Sequence, residues 1–365
     1  MLRRDFLRLI TVAAPAAGIG RRALLAQSEV SSWRTYEVTT SVRVLKPSGR
    51  TRIWLPQPLT DNTGFQKLLS SSVQCDGGRT SIHEDRRSGM KMLMAEFPAD
   101  SLPILATTQR ISTRNWFVDL EAPSQATHHA VSHDIARFLQ PTRYVPTDGI
   151  VKETADKITK GATTDLDKIH AIYEWIVVNT YRNPKVRGCG RGDIRPMLEL
   201  GDLGGKCADL NALFVGLAKA SGIPARDVYG IRIDRSYFEA KSLGTSSDRI
   251  EKAQHCRAEV YLSGFGWVPM DPADVRKVIL EEPPGNLPVS DSKVQAARKR
   301  LFGSWEMNWM AYNYAQDVEL PGSSGSSLAF FMYPQAETEE GRLDSLDPVN
   351  FRYEISSREL AASRG

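Results

Sequence analysis

Alternating apolar and polar positions dominate the chain between residue 30 and about residue 120. The segment "RTYEVTTSVRVL" places Tyr36, Val38, Thr40, Val42 and Val44 on one face of a strand. The runs "RTRIWLPQPL", "MKMLMAEFP" and "TTQRISTRNWFVDLE" are also rich in β-forming residues, and Gly, Asp and Ser separate them. This pattern predicts a small antiparallel β-sandwich domain over residues 27–125.

Helical periodicity replaces the alternation further along the chain. In "DLDKIHAIYEWIVVNTY" five apolar residues recur at spacings of three and four, with Asp165 as the expected N-cap. "HHAVSHDIARFLQP" before it and "IRPMLELG" after it have the same pattern in shorter form. The five residues on the stripe are Ile169, Ile172, Tyr173, Ile176 and Val177.

The segment "GGKCADLNALFVGLAKASGIPAR" predicts a helix that begins near Cys207. Gly222 is a suitable residue just past its end, and Pro224 prevents the helix from continuing. Strand patterns follow in "DVYGIRI" and in "HCRAEVYLSGFGWVPMDP", whose Ser-Gly-Phe-Gly stretch predicts a hairpin. Pro269 and Pro272 indicate that the second strand of this hairpin is short or lies at an edge.

The remaining residues contain aromatic-rich strand patterns between Ser/Gly loops, as in "WEMNWMAYNY" and "FRYEI". The chain is therefore expected to be an α+β protein. A second domain of helices and strands is predicted over residues 126–285. A β-rich extension over residues 286–365 is expected to complete or cover the sheet of this domain.

Composition narrows the class of protein. The 365 residues are 41% hydrophobic and 25% charged, with a net charge of +4. Those values suit a globular protein with a large core, and part of the positive charge lies in the first 22 residues. The charge therefore gives no indication of a nucleic-acid partner.

The first 26 residues, "MLRRDFLRLITVAAPAAGIGRRALLA", resemble a twin-arginine export signal. Their apolar stretch is too short to cross a bilayer about 30 Å thick, so no stable membrane span is expected. Cleavage is predicted after Ala26, and the mature protein is expected to be periplasmic or secreted. In such an oxidising compartment disulfides can form.

Cys207 lies where a thiol can become a nucleophile. The N-terminus of a helix offers unpaired N–H groups and the positive end of the helix dipole, both of which stabilise a thiolate. Gly204 and Gly205 allow a tight turn and close approach of a substrate. The same N–H groups can hold an oxyanion. Tyr181, Asn183 and the Gly188–Gly190 loop are candidates for a second oxyanion donor.

A thiolate nucleophile requires a base, and His255 opens the strand that follows. The hairpin after it brings Asp271 back towards His255. A carboxylate there would fix the imidazole tautomer and stabilise the imidazolium. Cys256 points away from His255, because side chains alternate along a strand, and it is interpreted as a packing residue.

These three elements together resemble the transglutaminase-like superfamily, which is related to papain-type cysteine peptidases. The resemblance covers about residues 160–280 and includes the glycine-led cysteine, G-I-P-A-R, H-x-x-A-E and G-W-x-x-x-D-P. It implies a papain-like or transglutaminase-like core with Cys207 as nucleophile, His255 as general base and acid, and Asp271 as the orienting acid. Many members have an aromatic residue near the histidine, where this chain has His-Cys-Arg-Ala-Glu.

No cofactor or metal is expected. His129 and His133 have a spacing that can grip a metal, but no glutamate follows His129 as in H-E-x-x-H. A zinc site built from Cys189, Cys207, His255 and Cys256 would lack any C-x-x-C pair. If Cys207 stays reduced, Cys189 and Cys256 are the candidate disulfide pair.

The leading hypothesis is an exported cysteine enzyme that forms a thioester from peptide or glutamine amides. Hydrolysis by water is favoured, and transfer to an amine, as in a transglutaminase, remains an alternative. A non-catalytic binding protein of the cell envelope is the other alternative. The expected partner is a protein or peptide substrate, including envelope peptides.

Overall fold

Apolar residues of the early strands face one another across two antiparallel sheets. The structure, a computed structural model, describes residues 32–60, 63–121, 133–238 and 240–361. The predicted export signal and its cleavage site therefore lie outside the described residues, as does His129 of the candidate metal pair. The described residues from Trp33 onward belong to one compact unit.

Seven strands precede the helical region, and β1 has the predicted alternation. All five residues predicted for its inner face are buried, and the residues between them are half-buried or exposed. The strands are β1 (Arg34–Val44), β2 (Thr51–Pro56), β3 (Gln66–Cys75), β4 (Arg79–Glu84), β5 (Lys91–Phe97), β6 (Ile104–Thr113) and β7 (Trp116–Phe117).

The helices pack around a central antiparallel sheet. The predicted stripe of α3 is buried, although its N-cap is Thr164, whose side chain accepts a hydrogen bond from Asp167 N in a capping box. The helices are α1 (His133–Ala136), α2 (Gly149–Ile158), α3 (Asp165–Asn179), α4 (Ile194–Leu200), α5 (Cys207–Ala220), α6 (Pro272–Glu281) and α7 (Ser292–Arg300).

The later strands form the central sheet and also return to the first two sheets. The central sheet has the order β12-β11-β10-β14, so the proline-containing β12 lies at an edge as expected. These strands are β8 (Tyr181–Arg182), β9 (Gly204–Gly205), β10 (Ala225–Arg232), β11 (Gln254–Leu262), β12 (Gly266–Met270), β13 (Ser304–Trp305), β14 (Trp309–Asn313), β15 (Gln316–Val318), β16 (Leu328–Phe330), β17 (Gln335–Thr338), β18 (Gly341–Arg342) and β19 (Phe351–Leu360).

The C-terminal strands are shared between regions of the molecule. β14 pairs with β10 in the central sheet, whereas β17 pairs with β2 and β19 pairs with β1 along its length. One apolar cluster contains residues of both N-terminal sheets, including Val42, Leu93, Ala336 and Phe351. The predicted α+β class and the β-rich N-terminal region are confirmed. The domain boundaries near residues 125 and 285 stay predictions.

Candidate active site

Cys207 is the first residue of α5, and a single carboxylate organises its surroundings. Asp209 accepts hydrogen bonds from the backbone N–H of Lys206 (3.0 Å), Arg191 (2.8 Å) and Gly192 (3.0 Å). It therefore ties the preceding loop to the start of the helix. Gly190 allows this close approach, since a Cβ there would lie 1.9 Å from the Asp209 carboxylate.

The backbone at this helix start leaves one donor available. The Ala208 N–H donates to the carbonyl of Cys189 over 3.0 Å, and the next two amides donate to the carbonyl of Lys206. Within the part of the chain that the structure describes, no acceptor is found for the Cys207 N–H. The first amides of a helix have no partner inside the helix. The Cys207 N–H can therefore donate a hydrogen bond to an oxygen of a ligand.

His255 is held rigidly at the start of β11. Its ring Nε2 lies 2.7 Å from Asp271 Oδ2, and its carbonyl accepts from Trp309 Nε1 over 2.9 Å. The imidazole also lies close enough to the Cys207 thiol to lower the pKa of that thiol. Because Asp271 occupies Nε2, Nδ1 is the ring nitrogen left to face the sulfur. The structure thus brings the three sequence-predicted residues together.

Asp271 follows β12 and is also the N-cap of α6. Its Oδ1 accepts hydrogen bonds from Asp274 N (3.1 Å) and Asn211 Nδ2 (3.2 Å), and its Oδ2 is the oxygen that meets His255. Pro272 occupies the first turn of the helix, where it needs no amide hydrogen. Asp271 is completely buried, so these bonds fix both oxygens.

A second carboxylate, which the sequence analysis did not identify, lies beside the imidazole. Asp274 Oδ2 is 3.4 Å from His255 Nε2, and both Asp274 oxygens bind Arg232 Nη2 at 2.6 and 2.8 Å. Asp274 is three residues after Asp271, in the first turn of α6. The stretch D-P-A-D at the start of this helix is the signal that could have identified Asp274.

The charges favour a thiolate and an imidazolium. Hydrogen bonds from Cys189 and Cys256, together with one from His255, lower the pKa of Cys207 well below its usual value despite burial. Burial and Arg232 act to lower the pKa of His255, but the Asp274 and Asp271 carboxylates outweigh them and raise it. Such opposite shifts are those of an ion pair.

The two carboxylates shift in opposite directions. Burial and the neighbouring Asp274 raise the pKa of Asp271. For Asp274, burial is overcome by the positive charges of Arg232 and His255, which hold its pKa well below the usual range. Asp274 is therefore the more firmly ionised of the two acids.

Two further thiols surround Cys207. Cys189 and Cys256 are buried with it in one apolar cluster. Cys189 Sγ also lies 3.2 Å from the Gln254 carbonyl oxygen, so this oxygen and the Cys207 sulfur compete for the single Cys189 proton. All four cysteines are free thiols, so the candidate Cys189–Cys256 disulfide is not formed.

The Cys207 thiol opens into a cleft of about 630 Å³. Gly188 and Cys189 line it, whereas the other oxyanion candidates do not: the Tyr181 hydroxyl donates to Asp202 Oδ1 (2.8 Å), and Asn183 N donates to the Gly205 carbonyl (2.9 Å). Tyr333 also lines the cleft and lies close enough to the Cys189 thiol to affect its pKa. It comes from a distant stretch of the sequence that carries no motif, so sequence reasoning could not find it.

The described residues contain one cluster with metal-ligand geometry, formed by His255, Asp271 and Asp274 within 4.8 Å of one another. Arg232 is bound to Asp274, and Arg257 Nε lies 3.8 Å from Asp271. These cations already neutralise the carboxylates, which argues against a divalent ion there. In the described ranges, no helix combines the length and apolar character needed to cross a membrane.

Comparison with known proteins adds the family. The model of the transglutaminase-like superfamily matches residues 152–272, a span that contains Cys207, His255 and Asp271. A Haemophilus influenzae protein described as uncharacterized is 36% identical over 344 residues, which cover 89% of this chain and 91% of that protein. The fold resembles the crystal structure of a "putative cysteine protease" from Cytophaga hutchinsonii with a TM-score of 0.57, 16% identity and coverage of 92% and 93% of the two chains. The chain belongs to the transglutaminase-like superfamily.

Proposed function

We propose that the chain is a cysteine enzyme that hydrolyses peptide or glutamine amides through a thioester. The observation that carries the proposal is the juxtaposition of three residues: Asp271 holds the His255 imidazole, and the imidazole lies beside Cys207 at a helix N-terminus inside a cleft. In this proposal Cys207 is the nucleophile, His255 the general base and acid, and Asp271 the acid that orients the imidazole.

In the first half-reaction the Cys207 thiolate attacks the amide carbonyl carbon and forms a C–S bond. The Cys207 N–H, which has no acceptor among the described residues, is placed to receive the developing oxyanion. The amide C–N bond then breaks as the His255 imidazolium protonates the leaving amine. The product of this step is a thioester on Cys207 and a free amine.

In the second half-reaction water attacks the thioester carbonyl carbon while His255 removes a proton from the water. The carboxylic acid leaves, and the thiolate and imidazolium are restored. Water is the favoured acceptor because polar and charged side chains line much of the cleft, including Lys206 and Gln254. An amine that enters the same cleft would give the transglutaminase reaction instead.

The direct test compares wild-type protein with Cys207→Ala and His255→Asn on a glutamine-containing peptide library, with a fluorescent diamine in parallel. Each substitution is expected to lower the hydrolysis rate by about 10³-fold or more. The reason is that removal of one residue from a catalytic unit costs about as much activity as removal of the whole unit. Cys75→Ala is the matched control, since this half-buried cysteine lies in β3 away from the cleft.

Each result of this test has a defined meaning. Hydrolysis that survives Cys207→Ala would contradict the proposal. Incorporation of the diamine at the expense of hydrolysis would favour the amine transferase. Peptide binding without either reaction would favour the non-catalytic envelope protein. The export prediction for residues 1–26 is separate, and we propose a periplasmic or secreted location on that sequence alone.

A further inference from the structure

The cleft beside Cys207 is markedly basic. Seven of its lining residues are arginine or lysine, whereas Glu251 is the single acidic one. Three of the cations have their own carboxylate partners. Arg232 is paired with Asp274, and the outer pairs are Arg187 with Asp344 and Arg249 with Glu251 and Glu354.

Three other cations of the lining, Arg182, Lys206 and Lys277, outnumber the carboxylates that pair with them. Arg182 and Lys277 share Glu281: Arg182 Nε binds one oxygen, and Lys277 Nζ lies 3.7 Å from the other. Lys206 directly precedes Cys207, and no carboxylate within ion-pair distance of it is found in the described ranges. Arg182 and Lys277 thus have one carboxylate between them, and Lys206 has none in the described ranges.

These cations are partly removed from water. The side chains of Arg182 and Lys277 are 14% and 17% exposed. Burial and the nearby Arg232 lower the pKa of Lys277 to about 8. A desolvated ammonium among other cations gains more from an anion than an exposed one, because solvent screens it less.

We propose that Arg182, Lys206 and Lys277 form an anion subsite, and that the substrate is a peptide with a carboxylate near the scissile amide. The carboxylate would supply the missing negative charge, and the guanidinium of Arg182 could bind it through charge-assisted hydrogen bonds. The inference rests on the proposed acyl-transfer function. It adds to that function a preference for acidic peptides.

The test measures binding rather than turnover. Full-length Cys207→Ala protein is titrated by calorimetry with two pentapeptides, acetyl-Xaa-Ala-Gln-Ala-Xaa-amide, in which Xaa is Glu or Gln. The Glu peptide is expected to bind at least about tenfold more tightly at low salt, and added salt should reduce this ratio. The same titrations are repeated in Lys277→Gln and Lys206→Gln backgrounds, where the ratio should fall several-fold.

Lys252→Gln is the matched control, because it removes the same charge from an exposed residue of the same cleft. It should keep the ratio, and Lys277→Arg should preserve most of it. Equal binding of the two peptides, no detectable binding of either, or an equal fall in Lys252→Gln would overturn the subsite. If the variant binds the Glu peptide selectively but the wild-type protein has no activity, the subsite is retained and the acyl-transfer function is rejected.

Discussion

Hydrogen bonds and the charge of His255 lower the pKa of Cys207 against the effect of burial. Its thiol meets two other thiols and an imidazole, and the imidazole meets two carboxylates. The motif residues Cys207, His255 and Asp271 could be predicted from sequence because each has a position that its chemistry requires. Arg232 and Tyr333 could not, because tertiary packing alone brings them to the cleft.

The opposed pKa shifts predict a bell-shaped pH profile. Activity should rise as the pH increases through the lowered pKa of Cys207, because the thiolate forms there. It should fall as the pH increases through the raised pKa of His255, because the imidazolium that protonates the leaving amine is lost. Asp274→Asn removes a charge that raises the His255 pKa, so the alkaline limb should move to lower pH. Hydrolysis rates measured over a pH series check this, and an unmoved limb in a folded variant would contradict it.

The neighbouring thiols should contribute to the reactivity of Cys207. Cys256→Ala removes one hydrogen bond that stabilises the thiolate, so the pKa of Cys207 should rise. Alkylation of Cys207 by iodoacetamide at pH 6, followed by peptide mapping, should slow several-fold. Cys75→Ala should leave the rate unchanged. An unchanged rate in Cys256→Ala would show that Cys256 only fills space in the core.

At the scale of elements, the sequence predicted those helices and strands that have one buried face and one exposed face. It did not predict elements that are exposed on most of their surface. The stripe of α3 and the face of β1 were predicted because burial alternates with the period of each element. β3 and β4 are exposed along most of their length, so their sequences carry no alternation. The helix over Ser292–Arg300 was also missed, since it has two buried residues.

A buried ion pair joins β10 to β11 across the central sheet. Arg226 lies opposite Glu259 in the register, and its Nε binds a carboxylate oxygen over 2.6 Å. Its guanidinium also lies over the rings of Trp267 and Tyr314, at 3.9 and 4.2 Å from the ring centres. Glu259 is 1% exposed, so loss of its partner would leave a buried charge.

Arg226→Met is therefore expected to lower the free energy of unfolding by about 3 kcal/mol, because Glu259 loses its counterion. The double variant Arg226→Met, Glu259→Gln should regain most of this loss, since no unpaired charge remains. Urea denaturation of the three proteins checks the prediction. Equal destabilisation in the single and double variants would show that ring packing, and not charge, accounts for the effect.

At the scale of the whole molecule, strands near the C-terminus pair with strands of the N-terminal region. β17 and β19 complete sheets that start with β2 and β1, and β14 completes the sheet that carries His255. Sequence patterns indicated strands in the C-terminal extension but could not assign their partners, because pairing depends on long-range packing. Of these three strands β14 extends the central sheet, whereas the extension was expected to complete or cover that sheet.

A fragment of residues 126–285 is accordingly expected not to fold. It would lack β14, whose Trp309 Nε1 binds the His255 carbonyl, and it would expose the edge of β10. Expression of this fragment beside the full chain, with circular dichroism and size-exclusion chromatography, checks the prediction. A monomeric, cooperatively unfolding fragment would show that the central sheet is stable without the extension.

Asp271 serves two structures with its two oxygens: Oδ1 caps α6 and Oδ2 holds the imidazole. Truncation to alanine would therefore loosen the first turn of that helix at the same time as it frees the ring, and inactivity alone could not tell the two losses apart. An asparagine can keep an oxygen for the capping bond while it gives up the charge. Comparison of these two replacements would separate the loss of the helix cap from the loss of the charge beside the imidazole.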